Sequence, residues 1–229
     1  DRSRGLGDVY KRQLFTVSKW TGDNKYKDIA IKHAVTTMNN HFRPDYTCWH
    51  VVSYNNDGTV ERKQTHQGKN DDSSWSRGQA WAVYGYTSCY RETNDTTFLN
   101  FAVNIADMIM ERVKTDDAIP YWDYDAPVTE ETPRDASAAA VTAAGFIELS
   151  TMVPDGKKYL DYAEKILKSL SSDAYLAKAG ENQGFILLHS VGSLPNGSEI
   201  DTPLNYADYY YLEALKRFMD LKGINYQNI

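Results

Sequence analysis

A set of polar and aromatic side chains precedes and opens one apolar segment of this 229-residue chain. Its members are His50, Gln67, Trp75, Arg77, Gln79 and Trp81. A guanidinium presents a planar fork of donors that pairs with a carboxylate through two hydrogen bonds, and Trp rings offer flat apolar faces. The N-terminal dipole of the helix predicted here would also favour an anion. The set therefore predicts a binding site for an acidic, ring-shaped ligand such as an acidic sugar.

The two tryptophans of this set are six residues apart, a spacing that turns side chains about 240° from one another on a helix. Both rings can face one pocket only if Trp75 lies in a loop before the helix that carries Trp81. Burial in the core is the alternative interpretation for either ring.

Three acids stand close to predicted helix starts: Asp123 and Asp125 in YWDYDAP, and Asp135 in PRDASAAA. A carboxylate at such a position caps free backbone N–H groups, and an acid there could also act on a bound ligand. For Asp135 the N-cap is the favoured interpretation, because Asp followed by small residues is an ordinary helix start. Paired carboxylates would suit glycoside cleavage, but the sequence does not fix their separation.

The residues that most often bind metals are scattered along the chain. His66 and His189 have no second His or Cys at metal-ligand spacing, so no metal is predicted. Cys48 and Cys89 fit neither a disulfide framework nor a four-ligand zinc site. No phosphate-cradling glycine loop and no nucleophilic serine motif is present in the sequence, so we expect no cofactor.

Composition and charge exclude several classes of protein. The chain has 25 Lys and Arg against 31 Asp and Glu, a net charge of -6, which leaves no basic field to attract nucleic acid. No apolar run reaches the roughly 18 residues that span a bilayer, so no membrane partner is expected. A hydrophobic fraction of 41% fits one ordinary globular domain.

An internal repeat predicts where the outer helices begin. The segments Thr21–Asp23, Thr93–Asp95 and Val153–Asp155 align, and each is followed by an aromatic residue and then by an alanine four residues later. The pairs are Tyr26 and Ala30, Phe98 and Ala102, and Tyr159 and Ala163. An acidic N-cap before an apolar stripe is a helix start, so each copy predicts a half-buried helix.

Segments of a different character alternate with these copies. They are WSRGQAWAVYGYTSCYRE, RDASAAAVTAAGFIELSTM and NYADYYYLEALKRFMDL, which predict helices that are buried on all sides. A β-hairpin is predicted at TCWHVVSYNNDGTVERKQ, around the turn signal Asn55–Gly58. The fold class is therefore all-α, an incomplete part of an (α/α)6 toroid with about three helical hairpins and one short β-hairpin. An open array of three hairpins is the alternative.

The first 13 residues, DRSRGLGDVYKRQ, show no periodicity and resemble translated adapter sequence. We expect a foreign or disordered segment over 1–13 and a partial toroid domain over 14–229. The apolar stretch of a signal peptide is also missing from these residues. The compartment stays open between bacterial cytoplasm and periplasm.

Five segments in order resemble glycoside hydrolase family 88, the unsaturated glucuronyl hydrolases. They are HFRPDYTCWHVVSYNNDG, KQTHQGKNDDSSWSRGQAWAVYGYT, IPYWDYDAP, RDASAAA and LNYADYYYLEAL. The resemblance runs from about Leu14 to Lys222. It implies an α/α toroid that removes a terminal 4,5-unsaturated glucuronic acid from oligosaccharides left by polysaccharide lyases, without a metal.

The resemblance also implies site residues. His50, Gln67, Trp75, Arg77 and Trp81 would line the sugar subsites, and Arg77→Ala is expected to weaken uronate binding by about 1.5–3 kcal/mol. Asp123 and Asp135 match family acids near the pocket and are candidates for catalysis. In the family an aspartic acid protonates the C4=C5 vinyl ether and activates water to attack C5.

The chain departs from the family where the catalytic aspartates should lie. The nearer one should fall around Leu6, and Asp8 in GLGDVYK does not match its motif. We therefore expect an incomplete member with absent or residual activity. The alternatives are an unsaturated rhamnogalacturonyl hydrolase, which shares the toroid, and a noncatalytic carbohydrate-binding protein. The expected partner is an unsaturated uronic-acid oligosaccharide, and the expected assembly is a monomer or weak dimer.

Overall fold

The computed structural model describes residues 8–225, with side chains described for residues 12–225. Seven α-helices lie in this part of the chain: α1 (Asp8–Thr21), α2 (Asn24–His41), α3 (Ser76–Thr93), α4 (Thr96–Arg112), α5 (Ala136–Ser150), α6 (Lys157–Leu170) and α7 (Asn205–Lys222). An antiparallel hairpin joins β1 (Val51–Tyr54) to β2 (Val60–Gln64). Two short 3-10 helices, Asn182–Gly184 and Leu194–Asn196, interrupt the connection before α7.

The helices form an inner and an outer row. Helices α1, α3, α5 and α7 pack side by side in that order, and α2, α4 and α6 lie outside them. This alternation confirms the predicted partial α/α toroid with one short β-hairpin. It also differs in one respect, because α1 adds an inner helix ahead of the first predicted outer helix.

The inner helices α3 and α5 are buried almost throughout, as their apolar sequences predict. Their backbones approach closely at Gly145, where an added Cβ would lie 3.2 Å from the Cα of Tyr84. Helix α7 was also predicted to be buried on all sides, and this is wrong. Tyr209 and Leu212 are 55% and 51% exposed, because α7 packs mainly against α5 and only lightly against α6.

Two of the three predicted acidic N-caps are confirmed. The side chain of Asp23 accepts a hydrogen bond from Lys25 N at the start of α2, and that of Asp95 accepts one from Thr97 N at the start of α4. The third is wrong: α6 begins one residue later, and its N-cap is Gly156, which has no side chain to cap with. The extra residue in this copy of the repeat moves Asp155 out of the capping position.

The β-hairpin has the predicted place and turn. Gly58 has φ +85°, a conformation that favours glycine, and the N–H of Asn55 bonds to the carbonyl of Thr59 at 2.9 Å. The register shifts between Ser53 and Tyr54, which pair with Arg62 and Val60, so that Glu61 of the second strand is left without a partner in the ladder. The hairpin leads the chain back toward α3, which begins 12 residues after β2 ends.

The N-terminal segment is described only in part. Residues 1–7, including the position around Leu6 where the family aspartate was expected, lie outside the described residues. Residues 8–13, which were expected to be foreign or disordered, belong to helix α1. No glycine or proline interrupts that helix, so its backbone continues through residues 8–13, where the sequence pattern predicted no helix. The division at residue 13 stays a prediction.

Candidate functional site

The predicted site residues meet where the inner helices α3 and α5 begin. Trp75 is the N-cap residue of α3 and lies outside the helix, which is the position it needs if its ring and that of Trp81 are to face one pocket. Its ring is only 6% exposed and packs in a small cluster with Trp122, Ala126 and Val191. His50 stacks on it, with ring centroids 4.3 Å apart and planes inclined by 25°. Trp75 is therefore the buried support of the site more than an open sugar platform.

His50 is held as a neutral ring with a defined tautomer. Its Nδ1 accepts hydrogen bonds from the backbone N–H groups of His66 and Gln67, at 3.2 and 3.1 Å. Burial lowers the pKa of His50 to about 3, and electrostatic repulsion from the nearby His66 and Arg77 side chains acts in the same direction. Because Nδ1 is an acceptor, the ring proton lies on Nε2. That N–H is a donor without a protein partner among the described residues.

Arg77 is fully enclosed by protein groups. Its Nη1 lies 2.8 Å from Oδ2 of Asp135 and also donates to the carbonyl of Val191, while Nη2 donates to the carbonyl of Gly192 at 2.9 Å. The side chain of Arg77 is 3% exposed. The expectation of an open fork for a ligand anion is therefore not met in this structure, because a buried carboxylate and two carbonyls already occupy the fork.

The rings beside Arg77 complete its enclosure. The guanidinium carbon lies 4.5 Å from the centre of the Trp75 ring and 5.3 Å from that of Tyr206 on α7. Tyr206 is half-buried, and burial raises its pKa to about 12, so it keeps its proton. Its hydroxyl has no hydrogen-bond partner in the described part of the chain.

Gln67 links the segment before α3 to the connection before α7. Its Nε2 donates to the carbonyl of Gly192 at 2.7 Å, the same carbonyl that Arg77 holds. Gln79 was placed in the same set by the sequence, but its side chain bonds the backbone of Cys48 and Trp75 inside the core. Gln67 thus belongs to the site, whereas Gln79 fixes the base of the hairpin.

A stripe on α3 faces a matching stripe on α7. Trp81, one turn below Arg77, makes an edge contact with Tyr210, with ring centroids 5.0 Å apart. Tyr206 stands four residues before Tyr210 and is the site residue that sequence reasoning missed. The i, i+4 spacing of the two tyrosines in NYADYYY was the available signal, since it places them on one helix face.

The two candidate catalytic acids are both buried and hydrogen-bonded. Asp135 is the N-cap of α5, which confirms the favoured interpretation: its Oδ1 accepts from Ser137 N at 3.0 Å, and its Oδ2 faces Arg77. Asp123 accepts from Lys69 N, Ser73 Oγ and Asp125 N at 2.9, 2.7 and 2.9 Å. Their exposures are 0% and 1%. Protein donors occupy the oxygens of both acids, and their role in proton transfer to a ligand stays a prediction.

The side chains of His66 and His189 lie outside the enclosed part of the site, although the backbone N–H of His66 bonds to His50. His66 is exposed, and His189 pairs with Asp201 at 2.6 Å on the surface. Within residues 8–225, no three His, Cys, Asp or Glu side chains converge in an arrangement that could hold a metal ion. Over the same residues, no helix has the length and apolar character to cross a membrane.

The family model that matches this chain is Glycosyl Hydrolase Family 88, over residues 12–223. The chain belongs to this family. The match includes every site residue described above, from His50 to Tyr206.

Curated relatives extend well beyond the matched region. An unsaturated glucuronyl hydrolase of Formosa agariphila is 48% identical over 210 residues, covering 91% of this chain and 52% of the relative. The chain therefore spans about half the length of the curated relatives it matches.

Solved structures of family members also match nearly all of this chain and little more than half of their own length. The crystal structure of an unsaturated glucuronyl hydrolase specific for heparin is 54% identical, with a TM-score of 0.91, and the superposition covers 93% of this chain and 58% of the other. A mutant of the Streptococcus agalactiae enzyme complexed with dGlcA-GalNAc6S is 32% identical, with a TM-score of 0.83 over 93% of this chain and 57% of the other. Family members thus bind unsaturated glucuronyl oligosaccharides.

Proposed function

We propose that this chain carries sugar-binding surface of an unsaturated glucuronyl hydrolase. Its ligand would be an oligosaccharide that ends in a 4,5-unsaturated glucuronic acid. The observation that carries the proposal is the meeting of His50, Gln67, Trp75 and Arg77 at the start of α3, in a chain that matches the family model over residues 12–223.

Four side chains would contact or position the sugar in different ways. The Nε2–H of neutral His50 and the hydroxyl of Tyr206 supply donors for sugar oxygens, since neither has a protein partner among the described residues. Trp81 supplies a partly exposed ring for an apolar sugar face. Arg77 acts indirectly, because its bonds hold the Val191 and Gly192 carbonyls in place beside Gln67.

The reaction would be hydration of the vinyl ether in the terminal sugar. An aspartic acid adds a proton to C4 and a water molecule adds to C5, giving a hemiketal that rearranges as the glycosidic bond breaks. Such a carboxyl group must be free to approach the ligand and to alternate between acid and base. Asp123 and Asp135 are engaged by protein donors, so we infer that neither of them fills this role.

The proposed ligand source is a glycosaminoglycan of the heparin type. The 54% identity to the structure whose name specifies heparin supports this choice over the chondroitin type, for which the Streptococcus agalactiae complex is 32% identical. An unsaturated rhamnogalacturonyl ligand and a purely binding function are the competing proposals.

Binding and turnover should be measured separately on the purified chain. Calorimetry with an unsaturated heparin-type disaccharide is expected to show binding, and binding of the chondroitin-type disaccharide should be weaker. The ultraviolet absorbance of the conjugated C4=C5 bond is expected to decay slowly or not at all. Normal turnover would refute the inference about the missing acid, and binding of a saturated disaccharide with equal affinity would refute the proposed ligand.

A further inference from the structure

We propose that Asp123 is a positioning residue that shapes the segment 65–75, so that Gln67 and the Trp75 ring reach the site at the start of α3. The proposal rests on the proposed function, because positioning matters only if this site binds the sugar. It gives a role to a buried acid that the reaction does not use.

The carboxylate of Asp123 is the centre around which the segment folds. Oδ2 accepts from the backbone N–H of Lys69 at 2.9 Å and from Ser73 Oγ at 2.7 Å. Oδ1 accepts from the N–H of Asp125 at 2.9 Å. The residue is 1% exposed, so water cannot replace these donors, and hydrogen bonds to an ionised acceptor are stronger than neutral ones.

A glycine makes this close approach achievable. An added Cβ on Gly68 would lie 3.0 Å from Oδ2 of Asp123 and 2.6 Å from Thr65 Oγ1. The N–H of Gly68 also donates to Thr65 Oγ1 at 2.8 Å. A side chain at this position would push the turn away from the carboxylate.

The C-terminal end of the segment, at Trp75, is fixed by residues 122–124. Trp75 and Asp123 form an antiparallel bridge, in which Tyr124 N bonds to the carbonyl of Ser74 at 3.0 Å and Ser76 N to that of Trp122 at 3.2 Å. The segment 65–75 is therefore held by residues 122–124 both at its turn and where it enters α3.

The turn transmits this placement to the sugar-facing groups. Gln67 directly precedes Gly68, and its N–H bonds to Nδ1 of His50 at 3.1 Å while its side chain bonds to Gly192. If the turn shifted, the His50 ring would lose one of the two backbone donors that keep Nδ1 unprotonated. Asp123 would thus act on the ligand through Gln67 and His50.

The test compares Asp123→Asn with a matched clamp elsewhere. Asp117 accepts from Ile119 N and Tyr175 Oη at 3.1 and 2.8 Å and pairs with Arg134 at 3.2 Å; its side chain is 31% exposed, and it bonds to none of the site residues. Asp123→Asn should lower the affinity for the unsaturated heparin-type disaccharide at least tenfold, whereas Asp117→Asn should leave it within twofold. The nitrogen-15 shifts of His50 should change in Asp123→Asn alone, because only there is the Nδ1 acceptor disturbed.

A second variant keeps the proposal testable if Asp123→Asn does not fold. Gly68→Ala retains the charge and should give the same loss of affinity and the same change at His50. If the unsubstituted chain binds the disaccharide and both variants bind it equally well, the role of Asp123 is overturned and the proposed function stands. Equal losses in Asp117→Asn would overturn it too, since the effect would follow stability. Failure of the unsubstituted chain to bind would overturn both proposals.

Discussion

At the scale of single residues, His50 is a buried histidine whose ring stays neutral in the folded chain. Two backbone donors face its Nδ1, and burial lowers its pKa to about 3 from 6.5. The unfolded chain would bind a proton at this histidine below about pH 6.5, whereas the folded chain would not until about pH 3. The free energy of unfolding should therefore be at its full value above pH 6.5 and should fall as the pH drops toward 3.

The first prediction concerns this loss of stability at low pH. Urea unfolding of the chain at pH 7 and at pH 4.5 should show a loss of stability, of which His50 contributes about 2.5 kcal/mol at about 1.4 kcal/mol per pH unit below the unfolded pKa. In His50→Gln this contribution should disappear, and the difference between the two pH values should shrink accordingly. An unchanged difference would mean that the ring titrates normally in the folded chain.

The pair formed by Arg77 and Asp135 gives the second prediction. Both side chains are buried, at 3% and 0% exposure, and removing one member of a buried pair costs about 3–5 kcal/mol because the other charge is left unpaired. Arg77→Ala should lose stability in this range. Asp135→Asn in the same chain removes the stranded charge and keeps an N-cap for α5, because Asn and Asp cap about equally well.

The double variant Arg77→Ala/Asp135→Asn should accordingly be more stable than Arg77→Ala alone. Chemical denaturation of the four proteins in this cycle measures the coupling. Arg77→Ala should also weaken disaccharide binding. The variant loses the hydrogen bonds that position the Val191 and Gly192 carbonyls, not a contact with the ligand. Additive effects in the cycle would contradict the buried pair.

At the scale of elements, the position of the acidic residue decides in which copies of the repeat the predicted N-cap is correct. Asp23 and Asp95 cap because each stands directly before its helix, but Gly156 separates Asp155 from α6. Local pattern was sufficient for six of the helices and for the hairpin turn. The connection 180–204 could not be predicted, since its course depends on distant partners such as Arg77 and Gln67, which bond to its carbonyls.

The third prediction compares two of these acids. Asp95→Ala should lower the free energy of unfolding by about 1 kcal/mol, the usual loss for an N-cap. Asp155→Ala makes the same chemical change in the third copy of the repeat and should cost no more than about 0.3 kcal/mol, since that residue is not a cap. Thermal unfolding of the two variants side by side is the measurement, and equal losses would show that Asp155 stabilises α6 by another route.

At the scale of the whole molecule, a layer of charges inside the inner row ties its helices together. Glu213 on α7 accepts a hydrogen bond from Tyr84 on α3 at 2.8 Å and pairs with Arg217 at 2.5 Å. Arg12 on α1 donates to the same Tyr84 hydroxyl and lies 3.9 Å from Glu213. Helix α1 was not predicted, because its first turns fall in the segment 1–13 that was interpreted as foreign or disordered and its partners Tyr84 and Glu213 are distant in sequence.

The fourth prediction concerns the place of that first helix in the fold. Arg12→Ala should lower the free energy of unfolding by about 1 kcal/mol, because the Arg12 side chain is 33% exposed and solvent weakens its pairing. Arg62→Ala is the control, since the Arg62–Asp71 pair on the hairpin is 64% and 49% exposed and should contribute almost nothing. Denaturant unfolding at low and high salt measures both.

Deletion of residues 1–13 extends the same test to the predicted boundary. Arg12 connects α1 to Tyr84 and Glu213 of the other inner helices. The shortened chain should therefore be at least as destabilised as Arg12→Ala, because it also loses the first turns of α1. A chain that unfolds at the same denaturant concentration with and without residues 1–13 would identify them as an appendage. That result would require Arg12→Ala to be neutral too, so the point variant and the deletion must agree.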